Sequence, residues 1–205
     1  MNNDPKQPTL IVFAGNNGSG KSTIRRSILE KSLYVSTNID TDLTAKRLRA
    51  EGVKSADRRA SELVLRLIES LFAKKESFSL ETTLSGKGAM RRIKEAEELG
   101  YYVIMYFVGL DNVELNINRV KVRVSNGGHD ISDDDIKNRE TSTINNLLEV
   151  NEYIDYLQVL DNSGKEARGV FVKENNQMTY LTNCVPKWCE VIEKSLIKGN
   201  KKYKI

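Results

Sequence analysis

The segment Leu10-Ile11-Val12-Phe13-Ala14 runs directly into Gly15-Asn16-Asn17-Gly18-Ser19-Gly20-Lys21-Ser22. Five consecutive apolar residues that stop at a glycine fit a strand buried on both faces of a parallel sheet. From Ser22 to Lys31, Ile24, Ile28 and Leu29 recur at helical spacing with arginines on the other side, so a helix starts where the loop ends. Strand, glycine-rich loop and helix in this order make a phosphate-binding P-loop.

Each residue of the loop answers a need of a polyanion. The glycines at 15, 18 and 20 let backbone N–H groups turn toward phosphate oxygens, and Asn16, Asn17, Ser19 and Thr23 complete the run around them. Lys21 reaches the β- and γ-phosphates, and the Ser22 hydroxyl can ligate magnesium. The expected cofactors are ATP, with GTP as the alternative, and Mg2+.

The rest of the chain alternates strands and helices. A strand is expected from Leu33 to Ile39, then a helical region from about Thr44 to Lys75 broken near Gly52, with Leu63, Leu67, Ile68 and Leu71 as its buried stripe. Phe78-Ser79-Leu80-Glu81 reads as a strand ending in a carboxylate, followed by a loop and a helix from Ala89 to Leu99. Tyr101 to Leu110 is the strongest strand and should be central. A helix capped by Asp111 runs to about Val124, another follows from Asp133 to Glu149, and Tyr153 to Leu160 is a strand. Gly169–Lys173 and Met178–Leu181 look like a hairpin, and a helix from Pro186 to Ile197 closes the chain. The pattern specifies an α/β, three-layer P-loop NTPase fold with a mainly parallel sheet and helices on both faces. Ligands then lie at the carboxyl ends of the strands.

With 205 residues, 39% of them hydrophobic and 29% charged, the chain fits a single domain, residues 1–205. A lid is expected over about 119–139 and a C-terminal hairpin and helix over about 167–199. No apolar run is long enough to span a membrane, and the polar start offers no signal core, so a cytoplasmic protein is expected. Cys184 and Cys189 match neither a redox pair nor a zinc framework and read as buried or half-buried free thiols. The net charge of +4 is partly concentrated in Lys198, Lys201, Lys202 and Lys204. No aromatic residues interleave these lysines, so the tail reads as a solvated terminus and a nucleic-acid partner is not expected.

Three clusters bear on the acceptor. Asn38-Ile39-Asp40-Thr41-Asp42 follows the second strand, where a carboxylate can accept the proton of an attacking hydroxyl; Asp40 or Asp42 can equally cap the next helix. Glu81, with Thr82 and Thr83, resembles a Walker B strand end able to hold a magnesium-bound water or an acceptor hydroxyl. Arg119, Arg123 and Arg139 surround the Gly127-Gly128-His129 loop and suit a lid that neutralises transferring phosphate, although a positive helix face has the same pattern. His129, the one histidine, has no partner in the sequence for base or metal work and reads as structural.

In order along residues 9 to 164, these motifs resemble the zeta toxin family of P-loop kinases, especially its short stand-alone members. The match takes in the P-loop, Asn38-Ile39-Asp40, Ser77 to Gly86, Gly100-Tyr101, Arg119-Val120 with Arg123-Val124, Gly127 to Ile131 and Asp161-Asn162-Ser163. The resemblance implies transfer of a phosphoryl group from ATP to a small acceptor. In zeta toxins this is the 3′-hydroxyl of the sugar in UDP-N-acetylglucosamine, and the toxin is paired with an antitoxin protein. It implies that Lys21 and Ser22 serve ATP and magnesium, that Glu81, Thr83 and Asp42 lie on the acceptor side, and that Arg119 and Arg123 stabilise charge; Asp40, which ends the expected strand, is the favoured base, and an alternative register puts Asp42 at that place. Many relatives carry Pro where Asn16 stands, a change the loop tolerates because it works through backbone groups.

Two other readings compete with a small-molecule kinase. A nucleotide-dependent switch or binding module lacks support from any N-K-x-D base-specificity motif, and a polynucleotide kinase is favoured only by the basic tail.

Overall fold

The computed structural model describes residues 7–30, 35, 37–128 and 130–201. Five parallel strands, β1 (Thr9–Ala14), β2 (Thr37–Asp40), β3 (Phe78–Thr82), β4 (Tyr102–Gly109) and β5 (Tyr156–Asp161), are extended by the antiparallel β6 (Arg168–Glu174) and β7 (Gln177–Tyr180). The sheet order is β2-β3-β1-β4-β5-β6-β7, which puts β4 in the middle as its apolar run predicts. The connecting helices are α1 (Lys21–Leu29), α2 (Thr41–Ala50), α3 (Ala56–Lys74), α4 (Lys87–Glu98), α5 (Val113–Ser125), α6 (Asp133–Val150) and α7 (Glu190–Lys201).

Alternation along β1 builds two cores. Leu10, Val12 and Ala14 face a layer made by Val64 and Ile68 of α3, Met90 and Ile93 of α4, Leu147 of α6 and Ile192 of α7. Ile11 and Phe13 point the other way, onto Ile24 of α1 with Val108 and Leu160. A strand apolar on every residue is therefore covered on both faces, as parallel strands require.

Several boundaries differ from the expectations, each for a local reason. Leu63 and Leu67 are 39% and 42% exposed; the buried stripe of α3 is Ala60, Val64, Ile68, Leu71 and Phe72. Apolar residues surround this helix, so spacing alone allows two faces, and packing on the sheet selects the one carrying Val64. Asp111 does not cap α5: Asn112 does, accepting from Leu115 N at 3.1 Å, while the Asp111 N–H donates to Ser163 Oγ. Of the two thiols, Cys189 is buried and Cys184 is exposed, and neither is paired. Parts of the expected strand at 33, 34 and 36, His129, and Lys202 and Lys204 of the tail lie outside the described residues.

The far end of β3 is pinned by aromatic packing. Phe78 is fully buried and meets Phe72 and Tyr101 edge-on at 5.4 and 6.1 Å between ring centres. Tyr101 in turn donates its hydroxyl to Leu71 O and Glu76 O. Phe78→Ala is expected to lower unfolding free energy by about 3–5 kcal/mol in chemical denaturation, because the cavity lies against a rigid sheet.

Candidate active site

Gly20 forms the N-cap of α1 with no side-chain cap, so the first N–H groups of the helix point into the space enclosed by the loop. The loop can only be glycine-rich here. A side chain at Gly18 would bring its Cβ to 2.4 Å from Asn116 O, and one at Gly20 to 2.3 Å from Asn162 Nδ2, both at positive φ.

Lys21 folds back over this loop, its ammonium donating to Asn16 O at 2.9 Å, and only 8% of the residue is exposed. Burial pushes its pKa below the ordinary lysine value, and the carboxylates of Glu81, Asp42 and Asp40 oppose that shift. An ammonium held this way gains from any polyanion that enters the loop.

Next to it, Ser22 Oγ donates to Glu81 Oε1 at 2.6 Å. The other Glu81 oxygen lies 3.2 Å from Arg25 Nε in an ion pair whose alignment completes no hydrogen bond, so this buried oxygen keeps acceptor capacity. Two oxygen donors this close suit a hard divalent cation. Among the described residues no cluster of three or more Asp, Glu, His or Cys side chains could hold a metal ion.

Asp40 and Glu81 are register partners across β2 and β3, which brings both carboxylates to the carboxyl edge of the sheet. Asp40 also does the work of a cap: its Oδ1 accepts from Leu43 N at 2.9 Å at the start of α2. Asp42 lines the same cleft as Lys21 and Asp40, and also a second groove with Lys46, Arg123 and Gly128. After β3 the chain turns through Leu84, which is buried at φ 56° and is held by Thr143 Oγ1 on Thr83 O and by Asn146 Nδ2 on Leu84 O. This fixes the Thr83 and Ser85 hydroxyls, 2.8 Å apart, at the rim.

The arginines come from the far wall. Arg119 of α5 donates to Asn162 O at 2.8 Å, and Arg139 of α6 donates to Asn17 Oδ1 at 2.9 Å. Asparagines lace the P-loop to the same elements: Asn16 Nδ2 to Ile136 O, Asn116 Nδ2 to Asn17 O and Asn162 Nδ2 to Ser19 O. All three arginines, with Lys21, Ser22, Asp40, Asp42, Glu81 and Thr83, line a single cleft of about 510 Å³.

The family model for Zeta toxin matches residues 1–184. The chain belongs to the zeta toxin family. A Haemophilus influenzae Rd protein described as uncharacterized is 36% identical over 133 residues, 65% of this chain and 93% of that one. Among solved structures, the AvrRxo1-ORF1:-ORF2 complex with ATP superimposes with a TM-score of 0.69 at 18% identity, covering 94% of this chain and 64% of that one. The chain thus spans about two thirds of the length of that structure. The PezAT chromosomal toxin-antitoxin system of Streptococcus pneumoniae gives 0.59 at 18% identity, covering 98% of this chain and 87% of that one. At such identities these likenesses establish the fold.

Within this zeta toxin fold, the residues picked out in sequence from three separate stretches converge on the cleft. Glu81 stands nearer the donor side than an acceptor role alone implies, since it contacts Ser22 and Arg25. Arg25 and Asn116 were not singled out, and Asn162 entered only as part of the Asp161-Asn162-Ser163 match, with no role given to it. Arg25 sits one helical turn after Lys21 and could have been found as a cation on the same helix face, whereas the asparagines carry no local signal. Asn16, where many zeta toxins have Pro, is no passive replacement, because its carboxamide bridges the loop to α6.

Proposed function

We propose that this zeta toxin family member transfers the γ-phosphoryl group of ATP to a hydroxyl of a small-molecule acceptor, a nucleotide sugar such as UDP-N-acetylglucosamine, as the toxin of a toxin–antitoxin pair. The observation that carries this reading is the pairing of Asp40 with Glu81 at adjacent strand ends, in the same cleft as Lys21, Ser22 and three arginines. A switch needs donor-side residues alone; a transferase needs room for an acceptor. Such room adjoins the cleft: a groove of about 360 Å³ shares Thr41, Glu81 and Thr82 with it and is lined by Val64, Leu65, Ile68 and Ala89, with Arg91 and Arg92. Apolar walls with two guanidiniums suit a molecule that has both a flat organic part and phosphates.

In this mechanism Lys21 and the P-loop N–H groups bind the β- and γ-phosphates, and Arg119, Arg123 and Arg139 meet the charge that spreads over the transferring group. Ser22 and Glu81 would hold Mg2+, which supplies charge neutralisation between the phosphates when bound. Asp40 accepts the proton of the acceptor hydroxyl, which then attacks the phosphorus in line as the bond to ADP breaks.

The test is a transfer screen with γ-labelled ATP against a panel of nucleotide sugars, read by the mass of each acceptor. The expected result is one acceptor that gains a single phosphoryl group in step with ADP release. ATP hydrolysis with no phosphorylated acceptor would overturn the transferase reading in favour of a switch.

A further inference from the structure

Asn162, the residue after the last parallel strand, touches both halves of the donor site. Its side-chain Nδ2 donates to Ser19 O of the P-loop at 2.8 Å, and its carbonyl accepts from Arg119 Nη2 at the same distance. The fit on the loop is close enough that a methyl group on Gly20 would overlap Nδ2. Its own N–H donates to Gly109 O at 3.0 Å, so neither end of the residue can swing.

The residue before it is anchored independently. Asp161 accepts from Ser163 N and Oγ, from Arg168 at the start of β6, and from Trp188 Nε1 at 3.3 Å. Burial raises the pKa of this carboxyl, but those hydrogen bonds outweigh burial and leave it below the ordinary value. Trp188 itself lies against Gly109, where a side chain would sit 2.3 Å from the ring. The segment after residue 165 thus braces the turn that carries Asn162.

We propose that Asn162 is a positioning residue that joins the P-loop to Arg119, so that nucleotide binding in the loop and placement of the arginine form one rigid unit. The proposal deepens the kinase reading and rests on it for the role of Arg119.

The test is a double-mutant cycle of Asn162→Ala and Arg119→Ala, read first on ATP affinity and then on kcat and KM for transfer. Asn162→Ala is expected to weaken ATP binding about tenfold in the wild-type background and less than about twofold beside Arg119→Ala, because coupled residues are not additive. In transfer it should lower kcat more than it raises KM for the acceptor. Asn162→Asp keeps the shape, replaces the donor with an oxygen facing Ser19 O, and should behave like Asn162→Ala with an unchanged melting temperature. Equal effects of Asn162→Ala in the two backgrounds, or wild-type affinity in Asn162→Asp, would overturn the proposal. If the wild-type protein binds ATP yet phosphorylates no acceptor, the kinase reading fails, while the affinity cycle still decides the role of Asn162.

Discussion

Lys21→Ala should reduce phosphoryl transfer by about 10²–10³-fold or more and raise the dissociation constant for ATP at least tenfold, without lowering the melting temperature. The first part follows from the loss of a preorganised donor aimed at developing charge, for which single removals cost about 2.7–4 kcal/mol of barrier. The second follows from position: the ammonium is held over the loop by Asn16 O and lines the cleft beside Ser22 and Glu81. The third separates a binding role from a structural one. Burial depresses the Lys21 pKa, which means the folded state tolerates the charge at a cost. Removing the side chain takes away that cost along with one hydrogen bond to a carbonyl that also accepts from Ser19 N. Calorimetric titration with ATP, transfer kinetics and a thermal melt on the same preparation check all three. A variant that transfers within tenfold of wild type would remove Lys21 from the site.

Much of this site could be read from the sequence because P-loop chemistry is local. The glycines, Lys21 and Ser22 are consecutive, and the strand before them and the helix after them declare themselves by their own periodicity. Asp40 and Glu81 were legible one step further out: a strand that ends in a carboxylate, in a parallel sheet, must place it at the ligand edge. The bonds that hold the parts together were not legible. Asn116 and Asn162 lie 99 and 143 residues from the P-loop residues they bond, and an asparagine in a turn looks the same whether it serves its own backbone or a distant carbonyl. Caps failed in the same way. Asp111 and Asn112 are both good caps by residue type, and a contact 52 residues away, Ser163 on the Asp111 N–H, fixes which of them starts the helix. For α3 the pattern held too many apolar residues to choose a face, so its stripe was half misplaced, at Leu63 and Leu67.

Asp40→Asn is expected to lower transfer by about 10²–10⁴-fold, the usual contribution of a positioned general base, and to leave ATP affinity and stability close to wild type. Asparagine is the informative substitution because it caps a helix as well as aspartate does, so the bond to Leu43 N survives while the base is lost. Asp40→Ala loses both and should show the same rate together with about 1 kcal/mol of lost stability. The rival is Asp42, and the geometry separates the two. Both line the cleft that holds Lys21, but Asp40 is the register partner of Glu81, which also lines the groove proposed for the acceptor, whereas Asp42 also lines a second groove with Leu43, Lys46, Arg123 and Gly128. A base must reach the acceptor hydroxyl, so Asp42→Asn should cost less than about tenfold in kcat. Its nearness to Lys21, which its charge affects more than that of Asp40 does, predicts instead a change in ATP affinity. Were the two rate effects reversed, Asp40 would be a helix cap and Asp42 the base. Were both variants to keep full transfer, neither carboxylate would take the proton, and the acceptor hydroxyl would have to lose it to the phosphate itself.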